Sequence, residues 1–132
     1  MIVHGAFADG SGWRRVYDLL KIQGYSVSLV QNPLTSLEDD VAATRRILDR
    51  QSGPTILVGH SYGGTIITEA GNHSKVACLV YIAAFAPDSG ESTLDQYSRV
   101  PPPACFQPEV QPDGFAFLRR GNLRCRMCGS GE

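Results

Sequence analysis

The chain has 132 residues, 42% of them apolar, and a formal net charge of −1. That length supports one packed domain rather than two, and the balanced charge argues against a nucleic-acid surface or an acidic tail. No apolar run approaches the ~20 residues that span a bilayer, and no basic segment precedes an apolar one at the start, so the sequence reads as a soluble, cytoplasmic protein with no membrane or nucleic-acid partner.

Ile2-Val3 reads as the end of a strand. His4-Gly5-Ala6-Phe7 follows, and then a turn-rich loop over residues 8–12. Trp13, Val16, Tyr17, Leu19 and Leu20 recur at helical spacing, with Gly24 as a C-terminal stop. Residues 25–30 alternate and predict a second strand, which Asn32-Pro33 breaks. Ser36, with Asp39 three residues on, marks a helix start. Leu37, Val41, Thr44 and Leu48 then form one helical face that ends near Arg50. Gly53-Pro54 resets the chain.

Thr55-Ile56-Leu57-Val58 predicts a third strand, which runs into Gly59-His60-Ser61-Tyr62-Gly63. Residues 65–70 form an apolar helical stretch directly after it. Val76–Ala84 is nearly continuous in apolar residues, the pattern of a central parallel strand covered on both faces; without a further strand beside it, it is expected to stand as an exposed apolar edge. Cys78 inside it reads as a small core residue. Strands alternating with helices predict an α/β fold: a doubly wound parallel sheet of about four strands over residues 1–90, with right-handed crossovers.

The character changes after Asp88. Asp88-Ser89-Gly90-Glu91 reads as a turn, and residues 92–97 can start a helix. Pro101-Pro102-Pro103, Pro108 and Pro112 argue against any regular element there. Residues 115–118 are briefly apolar. Residues 119–132 are rich in Arg, Cys and Gly and show no periodicity. Cys125-Arg126-Met127-Cys128 is a lone pair of cysteines with no second pair or nearby His to complete a zinc site, and its flanks lack the strand and helix of a redox motif.

The chemistry concentrates at G-x-S-x-G. A strand, a sharp turn and a helix around such a pentapeptide make a nucleophile elbow, which lifts the serine out at the carboxyl end of the strand. The glycines two residues before and after Ser61 are needed because a Cβ there would strike the neighbouring strand or helix. The N–H of Tyr62, at a helix start, can face a developing oxyanion. His4, Ser61 and the 85–88 segment all lie at strand carboxyl ends, where ligands bind in such sheets.

Three stretches now carry a resemblance: Val3-His4-Gly5-Ala6-Phe7 with Gly12-Trp13; Gly59-His60-Ser61-Tyr62-Gly63-Gly64; and Tyr81-Ile82-Ala83-Ala84-Phe85-Ala86-Pro87-Asp88. Over residues 2–118 the chain resembles the α/β-hydrolase superfamily and, within it, bacterial relatives of plant methylesterases and hydroxynitrile lyases. The resemblance implies a Ser-His-Asp triad, hydrolysis of a small ester or related carbonyl compound, and no metal or organic cofactor. Ser61 matches the nucleophile. The N–H groups of Ala6, with Phe7 as second choice, and of Tyr62 match the oxyanion donors. Residues 91–118 match the start of a cap.

The histidines do not complete this set. His4 is expected to hold its loop, His60 matches a variable position, and His73 reads as a surface residue. The superfamily places its catalytic His far downstream, and no His follows His73. Asp88 stands where some α/β-hydrolases carry the triad acid, although in the resembled group that position leads into the cap. The sequence therefore predicts an esterase-like serine hydrolase that is inactive or weakly active as written. The alternative is a non-catalytic fragment or small-molecule-binding remnant; a lyase would need the same missing His. The shift in composition at Arg119 reads as a frameshift or truncated gene model, with a genuine short chain carrying a divergent tail as the alternative.

Overall fold

The computed structural model describes residues 1–88, 91–99, 106 and 108–118. The chain divides into two compact units, Met1–Gln96 and Tyr97–Glu132. The first contains β1 (Ile2–Val3), a 3-10 turn (Gly10–Trp13), α1 (Arg14–Ile22), β2 (Leu29–Val30), α2 (Leu37–Asp49), β3 (Thr55–Ser61), α3 (Gly63–Ala70) and β4 (Val76–Ala84). The strands form one parallel sheet in the order β2-β1-β3-β4. This is the doubly wound α/β arrangement expected from the sequence.

The crossovers decide which face each helix covers. The chain steps one way from β1 to β2 and the other way from β2 to β3 and from β3 to β4. Right-handed connections then put α1 on one face and α2 with α3 on the opposite face. α3 packs on β1, β3, β4 and α2. The core lies on this side: Val3, Val30, Val41, Leu48, Leu57, Ile66, Ile67 and Ala70 are all buried. Strand β3 alternates accordingly, with Thr55, Leu57 and Gly59 buried while Ile56 and His60 are exposed.

Local chemistry sets the helix ends. Ser36 caps α2 by accepting the Asp39 N–H at 3.0 Å, and Gly24 sits at φ +87° just past α1. Trp13 belongs to the 3-10 turn, not to the helix, and α1 has no buried residue.

Three sequence expectations are corrected here. The second strand is only Leu29–Val30, because its ladder is with β1, which offers just Ile2 and Val3 as partners. The apolar run of β4 is not covered on both faces. Among the described residues β4 pairs with β3 alone, so it stands at the sheet edge and leaves Val80, Tyr81 and Ile82 exposed. Cys78 on the same strand is an exposed free thiol rather than a core residue.

Helix α4 (Thr93–Arg99) starts at a reciprocal cap: Asp95 N–H donates to Ser92 Oγ at 3.2 Å and Ser92 N–H to Asp95 Oδ2 at 2.8 Å. In the second unit β5 (Pro108–Val110) and β6 (Ala116–Leu118) pair antiparallel. The prolines therefore do not preclude regular structure. Pro108 opens its strand, where a missing N–H is tolerated. Pro112 occupies the second place of a turn that Gly114 closes, with φ +87° and its N–H on Gln111 O at 3.0 Å. Such a Pro-Asp-Gly run between strands is a turn signal in its own right. Ser89-Gly90, the Pro101-Pro102-Pro103 run, Cys105 and the tail from Arg119, with Cys125 and Cys128, lie outside the described residues.

Candidate active site

Ser61 ends β3 at φ +54°, a left-handed backbone conformation that a serine rarely adopts. The glycines around it stand where the chain crosses itself. A Cβ on Gly59 would lie 2.6 Å from Gly63 O, and one on Gly63 would lie 2.6 Å from Val3 O and 2.8 Å from His4 O. A Cβ on Gly64 would collide with Phe85 O. The turn thus closes only with glycine on both sides of the serine, and β1 sits directly against it.

The loop after β1 lies beside the serine. A Cβ on Gly5 would be 2.8 Å from Ser61 Cβ and 3.3 Å from its Oγ. Buried His4 fixes this loop. Its Nε2 accepts the Asn32 N–H at 3.0 Å, which leaves Nδ1 to donate to Gly5 O at 2.9 Å. Asn32 Nδ2 returns a bond to His4 O at 2.9 Å. His4 is therefore a loop anchor, as the sequence implied. The next turn is tight, with Phe7 at φ +60°.

The end of β4 also folds over the elbow. The register skips Ala83, which has φ +42°, so that Ser61 pairs with Ala84, and Phe85 N–H donates to Ser61 O at 3.1 Å. The bulge bends the strand end toward the serine. Strand ends and loops from β1, β3 and β4 thus meet at Ser61.

Tyr62 follows Ser61 as the N-terminal flank of α3, with φ −55° and ψ −27°. Its backbone faces the turn, but its side chain runs into the core and donates to Asp40 Oδ2 at 3.0 Å. The Tyr62 hydroxyl is held well above the usual tyrosine range, mainly by burial and then by the charge and hydrogen bond of Asp40. Asp40 was not singled out in the sequence, although it shares a helical face with Leu37, Val41, Thr44 and Leu48. A charged residue on a core-facing stripe was the signal.

The remaining expected site residue does not join this group through a histidine. Asp88 is exposed, and its N–H donates to Glu91 Oε2 at 3.0 Å while its carbonyl accepts the Glu91 N–H at 3.0 Å. No hydrogen bond or ion pair links Asp88 to a histidine among the described residues. His60 lies on the opposite sheet face, edge-on to Trp13 with ring centres 6.2 Å apart. His73 is less exposed than expected: its side chain is 15% accessible, its Nε2 donates to Asp49 Oδ1 at 3.1 Å, and its Nδ1 accepts the Lys75 N–H. Ser61 Oγ makes no hydrogen bond to the described residues.

Among the described residues no three His, Cys, Asp or Glu side chains cluster to hold a metal. A groove of about 670 Å³ runs between α2 and α3, lined by Leu37, Val41, Arg45 and Glu69 among others, and includes no residue of the elbow.

A model of an alpha/beta hydrolase family matches residues 1–129. The chain belongs to that family. It is 28% identical over 117 residues to a carbendazim hydrolyzing esterase of Nocardioides sp. (strain SG-4G), a match covering 78% of this chain and 48% of the esterase. It is 30% identical over 113 residues to putative methylesterase 11, chloroplastic, of Arabidopsis thaliana, covering 74% of this chain and 29% of that protein. The crystal structure of polyneuridine aldehyde esterase superposes with a TM-score of 0.73 at 19% identity, over 92% of this chain and 58% of that one, which shows a shared fold. The chain thus spans about half or less of the curated relatives it matches. The expected resemblance to bacterial relatives of plant methylesterases holds. Among the described residues no helix is long and apolar enough to cross a membrane.

Proposed function

We propose that this is a cytoplasmic serine-nucleophile hydrolase of esterase type, in which Ser61 attacks the carbonyl carbon of a small ester. The N–H groups of Ala6 and Tyr62 hold the oxyanion, and residues 91–118 are the start of a cap region. The observation that carries this reading is the strained Ser61 backbone, at φ +54°, with the Gly5 loop packed against it. That arrangement is what an exposed nucleophile beside a pair of backbone donors requires.

A serine hydroxyl attacks slowly without a base to take its proton. All three histidines are engaged elsewhere, so Ser61 in this chain has no imidazole partner. Turnover by the chain as given is therefore small, and what remains is the contribution of the oxyanion donors and binding, roughly 10³–10⁴-fold over water. Asp88, bonded to Glu91, serves the turn into α4 rather than a triad.

The test is a fluorophosphonate probe with excess imidazole as external base. Ser61 Oγ attacks phosphorus, fluoride leaves, and imidazole takes the proton. Intact mass and peptide mapping are expected to place one adduct on Ser61, absent from Ser61→Ala. Equal labelling of Ser61→Ala would end the reading.

A further inference from the structure

Asp40 is a buried carboxylate in the first turn of α2. Its Oδ1 accepts the Leu34 N–H at 2.8 Å and its Oδ2 accepts the Tyr62 hydroxyl at 3.0 Å. No ion pair reaches it among the described residues. The α2 N-terminus favours its charge, and the two hydrogen bonds supply the rest of its compensation. Each bond also fixes what lies at its far end. One holds Leu34 at φ +58°, which leucine seldom adopts unassisted. The other holds the ring of Tyr62, whose own N–H sits between the strained serine and the first turn of α3.

The ring cannot swing away without leaving a buried carboxylate oxygen unpaired, a costly state. The Tyr62 backbone is thereby tied to α2 as well as to β3 and α3. The geometry points to Asp40 as a positioning residue: through the Tyr62 hydroxyl it holds the Tyr62 N–H at the angle that meets the oxyanion formed at Ser61. This inference rests on the reading of Ser61 as nucleophile. It assigns Asp40 and the Tyr62 side chain a part in the reaction, although neither need touch the substrate.

The experiment is saturation kinetics of Ser61 phosphonylation in excess imidazole, for the full chain and three variants, with melting temperatures measured alongside. Asp40→Asn keeps both bonds, since the amide oxygen accepts from Leu34 and the amide N–H donates to the Tyr62 oxygen. Tyr62→Phe cuts the tether and leaves a buried charge half paired. The double variant D40N/Y62F cuts the tether without that charge, and so stays folded even where Tyr62→Phe does not. The maximal rate is expected to fall roughly tenfold to hundredfold in the double variant, with the half-saturating probe concentration unchanged, while Asp40→Asn keeps the parental rate.

A purely structural bond would instead lower the melting temperature and leave the maximal rate of folded protein alone. A double variant that labels at the parental maximal rate overturns the positioning role and leaves the Ser61 reading intact. A parent that takes no label at Ser61 overturns the Ser61 reading, and this inference with it.

Discussion

The two faces of the sheet differ. One is covered by α2 and α3 and holds Leu48, Leu57, Ile66 and Ile67 at no measurable exposure. The other carries α1, whose Leu19 and Ile22 are 60% and 82% exposed, and beside it Ile56 and Ile82 remain open at 54% and 43%. One strand, β3, presents both situations on alternate residues. Apolar sequence and burial are separate facts. The same residue types form a close-packed core where two helices close over them and an open apolar surface where they do not. The Ser61 turn belongs to the first situation, because it is clamped by β1, α3 and the end of β4.

The largest expected effect breaks the clamp itself. Gly63→Ala places a methyl group 2.6 Å from Val3 O, a backbone overlap that no rotamer relieves. It should destabilise the chain by roughly 3 kcal/mol or more, read as a lowered urea midpoint. A paired truncation sharpens the contrast between faces. Leu48→Ala, on the packed side, is expected to lower stability by about 3 kcal/mol. Ile22→Ala, on the open side, should stay within about 0.5 kcal/mol. Equal losses from the two would contradict the asymmetry.

A pH prediction follows from Tyr62. Burial and the Asp40 charge raise its folded-state pKa above the unfolded value, so the folded chain favours the neutral phenol. The stability this contributes is fully present below about pH 10, the ordinary tyrosine range, and is lost as pH rises through the folded value. Stability measured against pH should therefore fall more steeply above about pH 10 for the parent than for Tyr62→Phe. The smallest effect on folding belongs to Ile56→Lys. It should leave the melting point nearly unchanged, yet reduce dye binding to exposed apolar surface and slow the edge-to-edge association that an open β4 invites.

The strand, sharp turn and helix around Ser61 were legible because everything they need is local: strand residues, glycines at fixed offsets from Ser61, and a helix directly after. The α2 cap at Ser36 and the stop at Gly24 were legible for the same reason. β4 has the composition of a covered central strand, and it stands as the exposed apolar edge expected where no further strand pairs with it. Cys78, expected in the core, is exposed with it. The hairpin of β5 and β6 did have a signal, Pro112-Asp113-Gly114, which the count of prolines outweighed. The Asp40–Tyr62 bond was out of reach, since it joins residues 22 positions apart and exists only once α2 and α3 pack. The sequence order already showed that no His follows His73, but the partners of His4 and His73 appear only in the folded chain.

On the proposed reading the Ser61 site is built but lacks a base. The most direct measurement is the rate of Ser61 phosphonylation as imidazole is titrated in at constant pH. A slow rate without imidazole that climbs with its concentration, all of it lost in Ser61→Ala, is expected. A fast rate already present without imidazole, and indifferent to its addition, would mean that the protein supplies its own base and would overturn that reading.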